Sequence, residues 1–195
     1  LASSERRVLQ MAAVIGEAFW EGVLRVLVAD LHNLAECLTA LQRAQLIHEV
    51  GQSPHLGMEY RFQSSLIRDV AYEGILLPQR VRCHRQVADR LAQPSEEGIL
   101  AQYYGLVAHH YRHAAEPRRE LFYTLSAAEH AQEIYAHTEA LEYYDRALTL
   151  LNGLGQEDVT SLDRLLYDWR LETLRGLGQI HFVAGRMTEA EDRLR

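Results

Sequence analysis

The sequence predicts a mainly α-helical chain: a small bundle closed by a β-hairpin, followed by an α-solenoid. Three observations carry this. Apolar residues recur at helical spacing over most of the 195 residues. Between residues 46 and 62 the period drops to two. From Leu121 to Tyr144 and again from Leu171 to Leu194 the chain repeats at an offset of fifty, setting Ala127 against Leu177, Ala128 against Gly178, Ala131 against His181 and Thr138-Glu139-Ala140 against Thr188-Glu189-Ala190. Such a period in helical sequence marks stacked helix pairs, whose product is a binding surface and not a reaction, so no catalytic activity is expected.

Residues 3–15 form the first predicted helix, capped by Ser3 or Ser4, with Val8, Leu9, Ala12, Ala13 and Ile15 on its buried stripe and Gly16 as its stop. A second helix is predicted from about Phe19 to Val28 through Trp20, Val23, Leu24 and Leu27, and a third from near Asn33 through Leu34, Cys37, Leu38 and Leu41. Met58, Tyr60 and Phe62 then alternate with Glu59, Arg61 and Gln63. Leu46 to Val50 supplies the partner strand, and the stretch from Gly51 through Pro54 to Gly57 makes the turn. Three helices followed by a hairpin is the order of a winged helix. Ser64 and Ser65 open an amphipathic helix ending near Glu73, with Leu66, Ile67, Val70 and Ala71 expected to face inward. Residues 79–92 form another, with Val81, His84, Val87, Ala88 and Leu91 inward and Arg80, Arg82, Arg85 and Arg90 solvated. Pro94-Ser95-Glu96-Glu97-Gly98 breaks the pattern and sets two expected domains, 1–94 and 95–195.

The second domain reads as TPR-like, although fifty residues exceed the usual period of ~34. A longer helix or an inserted loop around Asn152-Gly153-Leu154-Gly155 would account for the difference. Ala128 or Gly178 lets paired helices approach, Ala140 or Ala190 does so from the second helix, and Tyr144 or Leu194 supplies bulk beside them. The Thr188-x-x-Glu191 spacing suits a capping box. An earlier pair is expected from Tyr104, Val107, Ala108 and Tyr111 before Pro117, then Leu121 and Tyr123. If the first helix of each pair lines the concave face, Phe122, Leu125, Glu129 and Gln132 join Glu172, Arg175, Gln179 and Phe182 in a groove suited to a protein or peptide segment. The alternative is that Phe122, Leu125 and Phe182 pack into the core.

Charge and composition narrow the chemistry. The 27 acidic residues outnumber 20 basic ones, and every basic residue is Arg. The absence of lysine removes the P-loop lysine, Schiff-base chemistry and a lysine base. Residues 1–77 hold six Arg against nine Asp and Glu, and the helix that would enter a DNA groove, 33–44, offers Arg43 beside Glu36. Nucleic acid is therefore not the expected partner, since base and phosphate contacts call for several cations. His109, His110 and His113 have metal-ligand spacing, with Glu116 or His130 as further donors, but Ala108 and Tyr111 sit where packing residues belong and no metal site is expected. Cys37 and Cys83 read as free buried thiols in a reducing compartment. No run approaches the ~20 apolar residues of a membrane span and no signal-like segment opens the chain, so a cytoplasmic location without membrane contact is expected. The missing initiator Met and the end at Arg195 within a predicted helix suggest a piece of a longer polypeptide.

The order Leu9-Gln10-Met11-Ala12-Ala13-Val14-Ile15-Gly16, Tyr60-Arg61-Phe62, Leu66-Ile67-Arg68-Asp69-Val70-Ala71-Tyr72-Glu73, then Arg80 with His84 and Ala88, resembles the region after the nucleotide-binding module of bacterial STAND-type (AAA-like) signalling ATPases. These are often fused to adenylate or guanylate cyclase domains or to LuxR-type DNA-binding domains. The resemblance implies a winged helix that closes the ATPase module, followed by a TPR-like superhelix. It also implies an intramolecular ATPase module as partner, with ATP or ADP and magnesium bound there and no cofactor in this region. In related proteins a histidine in a Phe-x-His pattern approaches the phosphates of ADP. Here Phe62 is followed by Ser64 at that position, which could meet an anion or serve only as a helix cap. The function implied is a non-catalytic regulatory and protein-interaction region of a signal-transduction ATPase. The alternatives are a transcription regulator whose winged helix binds DNA and, behind it, an enzyme using the histidine cluster.

Overall fold

The computed structural model describes residues 1–93, 101–154 and 163–183, the last stretch with side chains at 168–180 and 182. The chain is mainly helical with one small antiparallel sheet, and it divides into two compact units. One comprises Leu1–Ser95 with His113–Ala115, the other Glu96–Arg112 with Glu116–Arg195.

In the first unit, α1 (Ser3–Ile15) buries Val8, Leu9 and Met11 through Ile15. The serines do not cap it. Ala2 holds the cap position, and its backbone N–H donates to the Glu5 carboxylate at 2.8 Å, which places an anion in the first turn. Gly16 stops the helix at φ +153°, a conformation that disfavours any side chain. The next residues depart from the predicted second helix. Ala18–Trp20 is a strand, β1, and α2 runs only over Glu21–Leu27. Phe19 and Trp20 fit either period, and the sheet decides. Phe19 lies opposite Tyr60, its ring stacked at 5.6 Å and also 5.6 Å from Phe62, so a helix starting there would give up a buried aromatic cluster.

Helix α3 (Leu34–Arg43) buries Leu34, Cys37, Leu38 and Leu41, and the hairpin β2 (Ile47–Ser53) and β3 (Gly57–Phe62) follows. The predicted turn is longer than the real one, because ladder pairing continues to Ser53 opposite Gly57. A register shift between Glu49 and Gly51 marks a bulge at Val50. Strand order is β1-β3-β2. The hairpin loop reaches α2, where the Gly22 N–H donates to the Leu56 carbonyl at 2.8 Å, and a Cβ at Gly22 would lie 2.7 Å from that oxygen.

Helices α4 (Ser65–Glu73) and α5 (Leu77–Leu91) complete the unit. Of the α4 residues expected inside, Ala71 is buried and Ile67 half-buried, whereas Leu66 and Val70 are 70% and 62% exposed. Nothing else among the described residues of the unit covers them. On α5, Cys83, His84, Val87, Ala88 and Leu91 are buried and Val81 is half-buried. Arg80 is not part of a solvated face. Its guanidinium lies 4.4 Å over the Tyr72 ring and donates to the carbonyls of Ile75 at 2.8 Å and Glu73 at 3.0 Å, capping the end of α4. The Tyr72 hydroxyl meets Nε2 of buried His84 at 2.9 Å.

In the second unit a 3₁₀ turn, Ala101–Tyr103, leads into α6 (Tyr104–His113), which buries Val107, Ala108 and Tyr111. Helices α7 (Pro117–Glu133) and α8 (His137–Leu154) form a hairpin whose three-residue connection sets Tyr135 at φ +61°. Ala128, Ala131, Ala140 and Ala147 let the helices approach around Leu121, Leu125, Tyr144 and Leu151. Glu120, almost fully buried, is held by Arg146 of α8 at 2.6 and 2.8 Å, so its charge is compensated. Residues 152–154 are not a loop, since α8 continues to Leu154. Helix α9 (Asp163–Val183) adds Leu177 and Ile180 to the same core. Gly155, the Pro94–Gly98 break, the Thr188–Glu191 box, Ala190 and Leu194 lie outside the described residues.

Candidate functional site

The second unit holds an open groove of about 420 Å³ where α7 and α9 lie side by side over α8. The side chains reach it through helical spacing. Glu129, Gln132 and Glu133 share one face of α7, and Glu172, Arg175, Gly176 and Gln179 share one face of α9. Tyr144 of α8 forms the floor and Tyr135 the lip.

The floor depends on Gly176. A Cβ there would fall 2.2 Å from the Tyr144 ring, so the absent side chain is what lets the phenol pass beneath α9. The Tyr144 hydroxyl donates to Gln132 Oε1 at 3.0 Å, and Gln132 Nε2 donates to Gln179 Oε1 at 2.9 Å. This relay orients the terminal amide, because Gln179 accepts through its oxygen and keeps its Nε2 donors for other partners. Burial, with Glu129 and Glu172 nearby, pushes the Tyr144 phenol up to about 12, so the hydroxyl keeps the proton it donates.

Beside the relay Glu129 and Glu172 line the same cavity. Desolvation in the groove, a hydrogen bond with Glu172, and the negative charges of Glu172 and Glu133 together push the Glu129 carboxyl up to about 7. His130, next to Glu129 on α7, points its Nδ1 at Glu133 from 3.8 Å. The groove thus presents three carboxyls, one guanidinium, two amides and two phenols.

Comparison with family models, with curated proteins and with solved structures finds no match.

Of the residues the sequence placed in the groove, Glu129, Gln132, Glu172, Arg175 and Gln179 line it together. Leu125 does not; it is buried in the helix-pair core. Phe122 and Phe182 do not line the cavity either, but neither is a core residue. They are 49% and 63% exposed, Phe122 with its ring 6.5 Å from Trp169 of α9. The pairs Phe122–Trp169 and Gln132–Gln179 show that α7 and α9 run in the same direction. Exposed aromatics therefore flank the polar groove at both ends. Sequence reasoning missed Glu133, Tyr135 and the role of Gly176. The offset of fifty sets Gly176 against Ser126, a small residue in both copies, and that was the available signal.

Elsewhere the predicted positions stand apart. Ser64 caps α4, its Oγ accepting from the Ile67 N–H at 3.4 Å. His110 is fully buried, while His113 belongs to the first unit and stacks on His84 with ring centroids 4.8 Å apart. Among the described residues no group of three or more His, Cys, Asp or Glu is placed to hold a metal ion, and no helix is long and apolar enough to cross a membrane.

Proposed function

We propose that the chain is a regulatory, non-catalytic protein-interaction region whose second unit binds an extended peptide segment of a partner in the α7–α9 groove. The observation that carries this reading is the juxtaposition of Glu129, Gln132, Glu172, Arg175 and Gln179, five polar residues of two parallel helices, along one cavity flanked by exposed Phe122 and Phe182. Polar anchors for orientation with aromatics at the ends suit a polypeptide better than a compact apolar ligand. The helix pairs with short turns support a TPR-like arm. The helix–strand–helix–helix–strand–strand order with sheet order β1-β3-β2 supports a winged helix in the first unit. Together with the sequence resemblance these favour a signal-transduction ATPase as parent, possessing an ATPase module that binds ATP or ADP with magnesium. Binding by the arm would then bias that module between its states, provided the bound segment prefers one of them. A cytoplasmic location follows from the same reading.

Selection of a random peptide library on the immobilised chain tests the groove, with counter-screening on a Glu172→Arg, Gln179→Ala double variant. Both substitutions are at exposed positions and should leave the fold intact. Peptides retained by the parent chain and lost by the variant are expected. Equal recovery on both, or no recovery, would overturn the groove. Duplex DNA titrated over a salt series provides the contrast, and tight, salt-sensitive binding would favour a DNA-binding winged helix.

A further inference from the structure

We infer that the first unit carries a separate binding site, a cavity between α1, α2 and α5 that takes a small monocarboxylate with a hydrocarbon body. It is independent of the groove in the second unit.

Three helices build the site. On α5, Gln79, Arg82, Cys83 and Gln86 follow the spacing of one helix face. That face lines a cavity of about 420 Å³ opposite Arg7 and Met11 of α1, and Val26 and Leu27 at the end of α2 close it. Small-molecule sites occupy about 300–1,000 Å³, so the volume suits a compact ligand. The floor is apolar, with Met11, Leu27 and Cys83 buried. The Cys83 thiol donates to Met11 Sδ at 3.6 Å and so is satisfied within the floor. Burial holds that thiol above its ordinary value despite Arg82 and Arg7 nearby, so it adds no charge. Such a floor accepts hydrocarbon and offers no partner to a polar group.

The rim decides the charge of the ligand. Arg7 is committed, since its two terminal nitrogens donate to the two Asp30 carboxylate oxygens at 2.6 and 2.7 Å. With Arg7 and Asp30 matched, the charge of Arg82 is left over at the cavity. Its neighbours on α5 are engaged: Arg80 lies over Tyr72 and Arg90 donates to the His55 carbonyl at 3.4 Å. Arg82 makes no hydrogen bond or ion pair among the described residues, and the side-chain amides of Gln79 and Gln86, about one turn to either side, make none either. The rim therefore presents a guanidinium fork flanked by two amides above an apolar floor. A carboxylate meets a guanidinium through two parallel hydrogen bonds, and one uncompensated cation matches one negative charge. The hydrocarbon body then covers Met11, Leu27 and Val26, the last of which is 38% exposed. A dianion would bring a second charge without a second cation, and a cationic ligand would meet Arg82 as a like charge.

Octanoate is the probe, titrated into the full chain carrying isotope-labelled methionine methyls. Met11 lies in the cavity floor and Met58 in β3, so the two methyls report inside and outside the site. The expected result is a saturable shift of the Met11 methyl with Met58 unmoved, and binding about tenfold weaker in Arg82→Gln, the scale of one lost charge-assisted pair. Octanol has the same body and no charge. It should bind the parent chain about tenfold more weakly than octanoate does, and Arg82→Gln no differently from the parent. Ala29→Phe, at an exposed position of the lining, fills the cavity and should abolish binding of both probes. Octanol binding the parent as tightly as octanoate, octanoate binding Arg82→Gln undiminished, or binding that survives Ala29→Phe would each overturn the inference. So would a Met11 methyl that does not respond to octanoate, or equal shifts of Met11 and Met58, which mark non-specific uptake.

Discussion

Gly176 and Tyr144 show how one missing side chain shapes a site. The Tyr144 ring occupies the space where a residue-176 Cβ would be, and its hydroxyl starts the amide relay across the groove. Gly176→Ala must push the ring aside and break that hydrogen bond, at a cost of about 1–3 kcal/mol, the usual penalty for overpacking. Thermal melts should show the loss. Adding Tyr144→Leu should recover part of it, because Leu leaves the space beyond its Cδ atoms open, and the repeat itself carries Leu194 at the matching position. A double variant no more stable than Gly176→Ala alone would mean the ring is not the obstacle. Glu129 carries a prediction of different form. Its carboxyl is raised from an ordinary 4.5 to about 7 in the fold, chiefly by desolvation and then by Glu172. The folded state therefore binds this proton more tightly than the unfolded chain, and its contribution is complete below about pH 4.5 and lost as pH rises through about 7. Across that window the helices around the groove should lose protection from hydrogen exchange in the parent chain more than in Glu129→Gln. An equal decline in both would remove Glu129 as the cause.

At the scale of elements, legibility followed the strength of the periodic signal. Helices α1 and α3, the alternating strand through Met58, Tyr60 and Phe62, and the α7–α8 hairpin were readable because burial on one face leaves a clear period. Strand β1 was not, because its three residues are too few to show a period and both Phe19 and Trp20 suit a buried helix face. The outer side of α4 misled for the opposite reason. Leu66 and Val70 share a helical stripe with buried Ala71, yet the unit covers only part of it. The groove was half legible. The offset of fifty pointed to α7 and α9 as matching helices and so to five of the polar lining residues, although their side chains pair at an offset of 47, and the roles of Tyr135 and Gly176 arise from the fit between helices, which no single helix encodes. Gly22 gives the corresponding prediction for the first unit. Its Cβ would meet backbone, the Leu56 carbonyl, and not the movable end of a side chain. Gly22→Ala should therefore cost about 1–3 kcal/mol by forcing the hairpin loop from α2. Leu66→Gln or Val70→Gln should stay within about 0.5 kcal/mol, as exposed positions do. Chemical denaturation of the three variants separates the two cases.

For the whole molecule, the division into two compact units has a thermodynamic consequence. Each unit has its own apolar interior: one built on Phe19, Met11, Leu24 and Leu41, the other on Leu121, Ala128, Tyr144 and Leu177. Free energy lost in one interior is not a loss in the other unless the two open together, and separate cores make local opening the expected course. The glycine variants probe this because they lie in different units and perturb by the same means, a Cβ without space. Gly22→Ala should lower exchange protection in α1, α3 and the sheet while leaving α7 to α9 as they were, and Gly176→Ala should do the reverse. Protection falling by the same amount everywhere in both variants would show a single cooperative unit. A signal from the groove could then reach the first unit through shared stability alone. If the variants instead stay local, binding in the groove can act on the first unit only by favouring one arrangement of the chain over another, which requires a bound segment that distinguishes them.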